Sequence, residues 1–309
     1  MEENFVLALQ NHRKNNLQDA ENLYNEILKK NPNHFDTIYN LSKLLAQTKR
    51  FSLAKTLLYK ATKLKPDYAK AHNNLGIILT KLREDQKAIN SFKKAIQIQP
   101  TYADAHYNLG IVMQELGDHR KAIVFYEKAI QLRPDYAKAY NNLGIVMQEL
   151  GDHRKAIVYY EKAIQIQPNY SDVHYNLGRI FQELGEHKKA IIYYEKVINL
   201  KPDYAKAYNN LGVVYQEMGE HLKAINVYKK AITVIPNNII INGLSDLFKS
   251  IKLGNVTKAN SKELKELFLF LYRENSINHD DTFNNSKLLL FLGDNKDQLR
   301  QAVSSNSSF

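Results

Sequence analysis

Cysteine is absent from the 309-residue sequence, and proline and glycine are scarce, at seven and twelve residues. The absence of cysteine excludes disulfide bridges, cysteine-ligated zinc or iron–sulfur sites and thiol nucleophiles. The scarcity of proline and glycine, together with 44% hydrophobic and 24% charged residues, is typical of an ordered chain and unlike a disordered or collagen-like one. We therefore expect a folded protein without redox or thiol chemistry.

Long apolar runs are missing as well. No stretch of about 20 residues, the length that a membrane-spanning helix needs, is apolar and free of charge. Residues 1–11 carry Glu2 and Glu3 and one short apolar run, without the basic start of a signal peptide. These two absences predict a cytoplasmic protein that is not embedded in a membrane.

The formal net charge is +11, and only +1 of it lies after residue 236, so the basic surplus is spread through the body of the chain and forms no tail. Specific nucleic-acid binding usually depends on clustered Lys and Arg with aromatic or Arg residues that read the bases. We therefore do not expect nucleic acid as a partner.

The prolines that are present are evenly spaced. Each lies 34 residues after the previous one, at Pro32, Pro66, Pro100, Pro134, Pro168, Pro202 and Pro236. Between them recur two helical patterns of about 14 residues, here called helix A and helix B, separated by a polar turn. The turn contains glycine in four repeats, at Gly117, Gly151, Gly185 and Gly219. Each 34-residue repeat is therefore predicted to be a helix hairpin.

Residues at fixed positions of these repeats resemble the tetratricopeptide repeat. The fourth repeat shows the pattern as Leu109, Gly110, Ala122, Tyr126, Ala129 and Pro134. The first two repeats depart from it, with Ala8 and Ser42 at the glycine position and Leu58 at the aromatic position of the second. The resemblance implies an all-α fold: an α-solenoid of seven hairpins over residues 1–238, wound into a right-handed superhelix whose concave groove is lined by helix A. Glycine would remove side-chain bulk from helix A where it crosses helix B, and the aromatic residue would fill the space between neighbouring hairpins.

The 34-residue period stops after Pro236, while helical patterning continues. We interpret residues 239–309 as a non-repeat helical C-terminal cap or linker with a frayed end. Its apolar residues are also candidates for pairing with a second copy of the chain. Residues 264–292 resemble the segment that follows the repeats in bacterial tetratricopeptide proteins fused to transferases.

Motifs that carry catalytic chemistry are missing. The sequence has no G-x-x-x-x-G-K-[ST] phosphate loop, no G-x-G-x-x-G dinucleotide motif and no G-x-S-x-G nucleophile elbow. Histidine and glutamate recur once per repeat, which separates neighbours by about 10 Å, whereas ligands of one zinc ion lie within roughly 4 Å of each other. The residues concerned are His119, His153, His187 and His221, and Glu115, Glu149, Glu183 and Glu217. We expect no enzymatic activity, no metal site and no cofactor.

Asparagine recurs immediately before the Leu-Gly position of helix A, and we call these six residues the asparagine ladder: Asn40, Asn74, Asn108, Asn142, Asn176 and Asn210. A side-chain amide both donates and accepts, so such a ladder can bind the backbone of an extended peptide with little regard to its sequence. The repeats are similar to those of the O-GlcNAc transferase arm, which implies that the ladder holds a protein by its backbone. The alternative interpretation is that asparagine reflects only the family consensus. We expect the ladder to face solvent in the free protein.

A second amide row, here called the glutamine row, lies two helical turns further along helix A, at Gln114, Gln148, Gln182 and Gln216. Flanking positions alternate with a period of 68 residues, as Lys70, Asp104, Lys138, Asp172, Lys206 and as Asn73, Tyr107, Asn141, Tyr175, Asn209. Alternating charge suits a mixed-charge polypeptide better than a phosphate backbone. A neighbouring row is mostly apolar, at Ile77, Ile111, Ile145 and Val213, which argues against the Lys and Asn clamp that binds acidic chaperone tails.

The sequence thus predicts a protein–protein interaction scaffold that binds an extended polypeptide through its amide rows. The alternative is the substrate-docking arm of a glycosyl-, sulfo- or methyltransferase whose catalytic domain is missing or separately encoded. A lysine row on helix B is predicted to lie on an ordinary solvated face, at Lys60, Lys94, Lys128, Lys162 and Lys196.

Overall fold

The computed structural model describes residues 2–234 and the helical residues Ile239, Ile240, Gly243 and Leu247. Within residues 2–234 the chain forms fourteen α-helices and no strand. The predicted end of the repeats at residue 238, the predicted C-terminal cap and the segment 264–292 fall outside the described residues, so these boundaries stay predictions.

Seven hairpins follow one another, each made of an odd-numbered helix A and an even-numbered helix B. The A helices are α1 Glu2–Arg13, α3 Phe35–Gln47, α5 Ala69–Lys81, α7 Ala103–Glu115, α9 Ala137–Glu149, α11 Ser171–Glu183 and α13 Ala205–Glu217. The B helices are α2 Leu17–Lys30, α4 Phe51–Leu64, α6 Asp85–Ile98, α8 His119–Leu132, α10 His153–Ile166, α12 His187–Leu200 and α14 His221–Val234. This confirms the all-α fold of stacked helix hairpins.

The chain divides into two compact units, an N-terminal unit Met1–Ile166 and a C-terminal unit Gln167–Phe309. In the N-terminal unit each helix packs against the next from α1 to α10, so hairpins 1 to 5 form one continuous stack. In the C-terminal unit α11 to α14 pack in the same way and form hairpins 6 and 7. A single hairpin buries too little apolar surface, so each stack stabilises its members.

The turn between helix A and helix B needs one residue in the left-handed region. Gly117 takes this place in hairpin 4 with φ 77°, a conformation that costs glycine little. In hairpins 1 to 3 the same turn uses Asn15, Lys49 and Arg83, with φ of 63°, 59° and 61°. The glycines that the sequence shows in later repeats are therefore turn residues, and the earlier repeats reach the same turn at some strain.

The glycine within helix A of each regular repeat lies against an aromatic ring. A Cβ atom added to Gly110 would lie 2.7 Å from Cδ1 of Tyr126, a ring that is fully buried. These rings were expected between neighbouring hairpins. Each ring lies against the glycine of its own hairpin, and the hydroxyl of Tyr126 also reaches Asn142 of the next hairpin at 3.2 Å.

Candidate functional site

The asparagine ladder connects neighbouring hairpins. In the N-terminal unit Asn74 Nδ2 donates to the Tyr39 hydroxyl at 3.0 Å, and Asn108 Nδ2 donates to Asn73 Oδ1 at 3.0 Å. Asn142 Nδ2 donates to the Tyr107 hydroxyl at 3.3 Å. Each acceptor lies 35 residues earlier, on the A helix of the preceding hairpin.

The same contact occurs in the C-terminal unit, where Asn210 Nδ2 donates to the Tyr175 hydroxyl at 3.2 Å. Asn176 is half-buried on α11. Asn40 differs, because the residue 35 positions earlier is Phe5, which offers no acceptor. Its Nδ2 donates to the Asp36 carbonyl of its own helix at 2.8 Å.

All six ladder side chains are half-buried. The expectation that they face solvent in the free protein is wrong for the amide nitrogens of Asn74, Asn108, Asn142 and Asn210, which are already bonded within the chain. The acceptors alternate between tyrosine and asparagine, which gives the 68-residue alternation a structural cause. The amide oxygens of Asn74 and Asn108 have no hydrogen-bond partner within the described part of the chain, and they remain available as acceptors.

The glutamine row bonds to the buried tyrosine of its own hairpin. Tyr126 donates its hydroxyl to Gln114 Oε1 at 2.8 Å, and it accepts from Asn142 Nδ2 at 3.2 Å. Burial raises the pKa of Tyr126, so its hydroxyl stays a protonated donor. Equivalent bonds join Tyr160 to Gln148 at 3.2 Å, Tyr194 to Gln182 at 2.9 Å and Tyr228 to Gln216 at 3.5 Å.

The glutamate and histidine rows meet across neighbouring hairpins. Gln114 Nε2 lies 3.3 Å from Glu149 Oε2, and His119 Nδ1 lies 3.5 Å from the same oxygen. In the C-terminal unit Gln182 and His187 approach Glu217 in the same way, at 3.2 and 3.5 Å. The four histidines open α8, α10, α12 and α14, the position that the sequence predicted. Among the described residues no group of three His, Asp or Glu residues could hold a metal ion.

The alternating charge of the flanking row is partly neutralised. Asp104 Oδ1 accepts from Arg133 Nη1 at 2.9 Å and from the Tyr136 hydroxyl at 2.8 Å. Burial acts to raise the pKa of Asp104, but the hydrogen bonds from Arg133 and Tyr136 outweigh it and hold the pKa below its usual value. Asp172 pairs with Lys201 at 3.5 Å in the C-terminal unit.

The lysines of this row, Lys70 and Lys138, are exposed and have no ion pair within residues 2–166. In hairpins 3 to 5 the flanking row therefore offers net positive charge, whereas the same position of hairpins 1 and 2 holds the exposed acidic residues Glu2 and Asp36. On helix B, Lys94, Lys128, Lys162 and Lys196 are exposed and Lys60 is half-buried, as expected of a solvated face.

Sequence reasoning missed the tyrosines that organise these contacts. Tyr39 accepts from the ladder. Tyr136 lies beside Tyr107, with ring centroids 4.8 Å apart and the rings tilted by 40°, and it donates to Asp104. The recurrence of tyrosine at 34- and 68-residue spacing was the available signal.

Comparison with known proteins agrees with this architecture. Family models described as tetratricopeptide repeat match residues 12–78 and, in overlapping windows, residues 101–169, 135–203 and 173–237, and a model described as TPR repeat matches residues 78–117. No curated protein matches the sequence significantly. None of the helices within the described residues is long and apolar enough to cross a membrane.

Solved structures similar to this chain are helical repeat proteins. MamA is 30% identical, with 53% of this chain and 96% of MamA covered and a TM-score of 0.49. PilF from Pseudomonas aeruginosa is 21% identical, with coverages of 67% and 94% and a TM-score of 0.59. The C-terminal part of a TPR repeat-containing protein from Cytophaga hutchinsonii is 22% identical, with coverages of 78% and 99% and a TM-score of 0.59. Because the repeat models run along the chain from residue 12 to residue 237 and the helices pair as hairpins over residues 2–234, the chain belongs to the tetratricopeptide-repeat family.

Proposed function

We propose that this chain is a non-catalytic scaffold that binds an extended polypeptide segment along its A helices through the asparagine ladder. The tetratricopeptide fold is consistent with protein–protein interaction. The observation that carries the proposal is the state of Asn74 and Asn108: their amide nitrogens are fixed to the preceding hairpin, and their oxygens have no partner within the described residues.

An amide held in this way is a suitable acceptor for a backbone N–H group. Its rotamer is already ordered, so binding loses little side-chain entropy. Stacked helices lie about 10 Å apart, and an extended peptide rises about 3.3 Å per residue. Successive ladder residues would therefore meet about every third residue of a bound segment. Backbone recognition of this kind is independent of the partner's side chains.

The absence of catalysis belongs to the same proposal. Many of the polar groups that recur in the described residues contact each other: Tyr126 is hydrogen-bonded to Gln114, and His119 Nδ1 lies 3.5 Å from Glu149 Oε2. Buried tyrosines such as Tyr126 have raised pKa values, which makes them poor bases or nucleophiles near neutral pH. The transferase-arm alternative depends on residues 264–292, which lie outside the described residues, and it stays a prediction.

The experiment needs a peptide ligand, which can be selected from a displayed library of random 12-residue peptides against the full chain. Asn142 Oδ1 already accepts from Asn141 Nδ2 at 3.2 Å and keeps one lone pair for a ligand. Replacing Asn108 and Asn142 together with alanine should weaken binding of a selected, fluorescently labelled peptide by about 1 to 3 kcal/mol, at 0.5 to 1.5 per hydrogen bond. Fluorescence anisotropy measures the dissociation constant.

Two control variants separate the alternatives. Tyr107→Phe removes one of the two internal acceptors of Asn142 and leaves the amide, so it should cost less binding than the double asparagine variant. Lys94→Gln with Lys128→Gln tests the solvated face of helix B, where a binder of anionic surfaces would respond. A peptide that tolerates the asparagine changes but is lost with the lysine changes would contradict the proposal.

A further inference from the structure

A cavity of about 260 Å³ opens between hairpins 2 and 3 of the N-terminal unit. Leu58, Ile77 and Ile78 contribute aliphatic side chains to its lining, and Ser42 and Ala46 contribute small ones. The exposed Lys43 and the half-buried ladder residue Asn74 complete it, so the cavity lies on the ladder side of the A helices. We call it the Leu58 cavity.

The cavity exists because hairpin 2 departs from the repeat at three positions. Hairpin 4 has Gly110 and Gln114 on helix A and Tyr126 on helix B, with the tyrosine ring against the glycine and its hydroxyl on the glutamine. The equivalent residues of hairpin 2 are Ser42, Ala46 and Leu58.

Leucine is shorter than tyrosine, and alanine lacks the amide that tyrosine would bind. Ser42 uses its hydroxyl internally, as a donor to the Tyr39 carbonyl at 2.6 Å. The space that ring and amide fill in hairpin 4 is therefore empty in hairpin 2, and its walls are apolar.

An apolar cavity that opens to solvent favours an apolar occupant. Its volume corresponds to roughly eight water molecules at liquid density, enough for one aliphatic side chain of leucine or methionine size. Water beside Leu58, Ile77 and Ile78 finds few hydrogen-bond partners, so its displacement by such a side chain is favourable.

The charges around the cavity indicate which residue should stand next to that aliphatic side chain in a bound polypeptide. Lys43 has no ion pair within residues 2–166. Its Nζ lies 5.9 Å from the centroid of the Tyr39 ring. The row at the C-terminal end of helix A carries Arg13 and Lys81 in hairpins 1 and 3, whereas it carries Glu115 and Glu149 in hairpins 4 and 5. The part of this row near the cavity is therefore basic. The acidic residue of α3, Asp36, lies in the first turn of that helix.

We propose that the Leu58 cavity is an anchor pocket for one aliphatic side chain of a bound polypeptide, next to an acidic residue that pairs with Lys43. This inference rests on the proposed function, because the same polypeptide would lie along the asparagine ladder. The ladder binds backbone without regard to sequence, and the anchor pocket supplies the selectivity that the ladder lacks.

The test converts hairpin 2 to the pattern that hairpin 4 already folds with. The triple variant Ser42→Gly, Ala46→Gln, Leu58→Tyr fills the cavity with a ring and an amide. Random 12-residue peptides displayed in a library are selected separately against the full wild-type chain and the full triple variant. We expect wild-type peptides to share an aliphatic residue beside Asp or Glu, and the triple variant to lose this preference.

A selected peptide then gives the magnitude by anisotropy. The peptide should bind the triple variant about tenfold more weakly than it binds wild type. Replacing the aliphatic residue of the peptide with Ala should weaken binding to wild type by about the same factor, and it should cause no further loss of binding to the triple variant. Lys43→Ile, which places the residue of hairpins 4 and 5 there, should cost about two- to fivefold and abolish the preference for Glu over Gln in the peptide.

The outcomes separate the two proposals. A peptide that binds the triple variant as tightly as wild type, yet loses affinity with Asn108→Ala and Asn142→Ala, would overturn the anchor pocket and leave the ladder intact. Selection of basic or aromatic residues at the anchor position would also overturn it. Failure to select any peptide, or a peptide indifferent to the asparagine changes, would overturn the proposed function itself. Retained circular dichroism of the triple variant shows that a loss of affinity is not a loss of fold.

Discussion

The contact between Gly144 and Tyr160 gives the sharpest test of how a hairpin is packed. A Cβ atom on Gly144 would lie 2.5 Å from Cε1 of Tyr160, whose ring is fully buried and whose hydroxyl binds Gln148 at 3.2 Å. Gly144→Ala gains about 1 kcal/mol of helix propensity, while overpacking a buried site costs about 1 to 3 kcal/mol. Because the ring has no free space, we expect the upper end of that cost and a net loss of about 1 to 2 kcal/mol.

Tyr160→Leu should relieve the clash. Hairpin 2 combines a side chain at the glycine position, Ser42, with Leu58 at the aromatic position, so the chain itself contains the compensated pair. In a double-mutant cycle, Gly144→Ala and Tyr160→Leu should be less harmful together than their sum by about 1 to 2 kcal/mol. Tyr160→Phe is the matched control, because it removes the hydroxyl and keeps the ring, and it should show no such compensation.

Urea unfolding of the full chain measures these differences, followed by far-ultraviolet circular dichroism and by tyrosine fluorescence. Two probes are needed because stacked repeats unfold in parts when their coupling is weakened. Additive costs, with a coupling below about 0.5 kcal/mol, would refute the placement of the ring on the glycine. They would also remove the explanation offered for the Leu58 cavity.

Three further predictions concern stability. Leu143→Ala deletes a fully buried side chain of α9 and should cost about 2 to 5 kcal/mol in urea unfolding, and a loss below about 0.5 would place Leu143 on the surface. Asn142→Ala removes the bonds to Tyr107 and Tyr126 from the free protein and should cost about 1 to 3 kcal/mol, at about 0.5 to 1.5 per bond, whereas a neutral result would mean that the ladder does not hold the hairpins together. Burial lowers the pKa of His106, so the unfolded chain takes up more protons there, and stability should fall as the pH drops below about 6.5; His106→Gln should reduce this fall, and an unchanged pH dependence would contradict it.

The hairpins could be predicted from the sequence because their information is local. Pro100 lies two residues after the end of α6, and His119 opens α8, so spacing alone marked where helices end and begin. The pairing of helix A with helix B needed only the glycine and the aromatic residue of the same repeat. Seven hairpins with the same helix spacing within residues 2–234, five of them with the glycine–aromatic contact, made these signals stronger.

The partners of the polar residues could not be predicted in the same way. Asp104 meets Arg133 and Asn142 meets Tyr107 because stacking brings side chains from 29 and 35 residues apart to one place. The rise and rotation from one hairpin to the next decide those distances, and no local pattern contains them. The Leu58 cavity could not be predicted for a different reason: the sequence shows that Ser42 and Leu58 depart from the repeat pattern, but not what space the departure leaves.

The alternating acceptors of the ladder have a consequence for how such a chain changes in length. Asn108 donates to an asparagine oxygen and Asn142 donates to a tyrosine hydroxyl, so a ladder amide can donate to either kind of acceptor. Excision of residues 108–141 would bring Asn142 opposite Asn73, the residue that now receives Asn108. If unequal recombination within the gene adds or removes one 34-residue repeat at this junction, the ladder amide at the new junction still has an acceptor on the preceding hairpin.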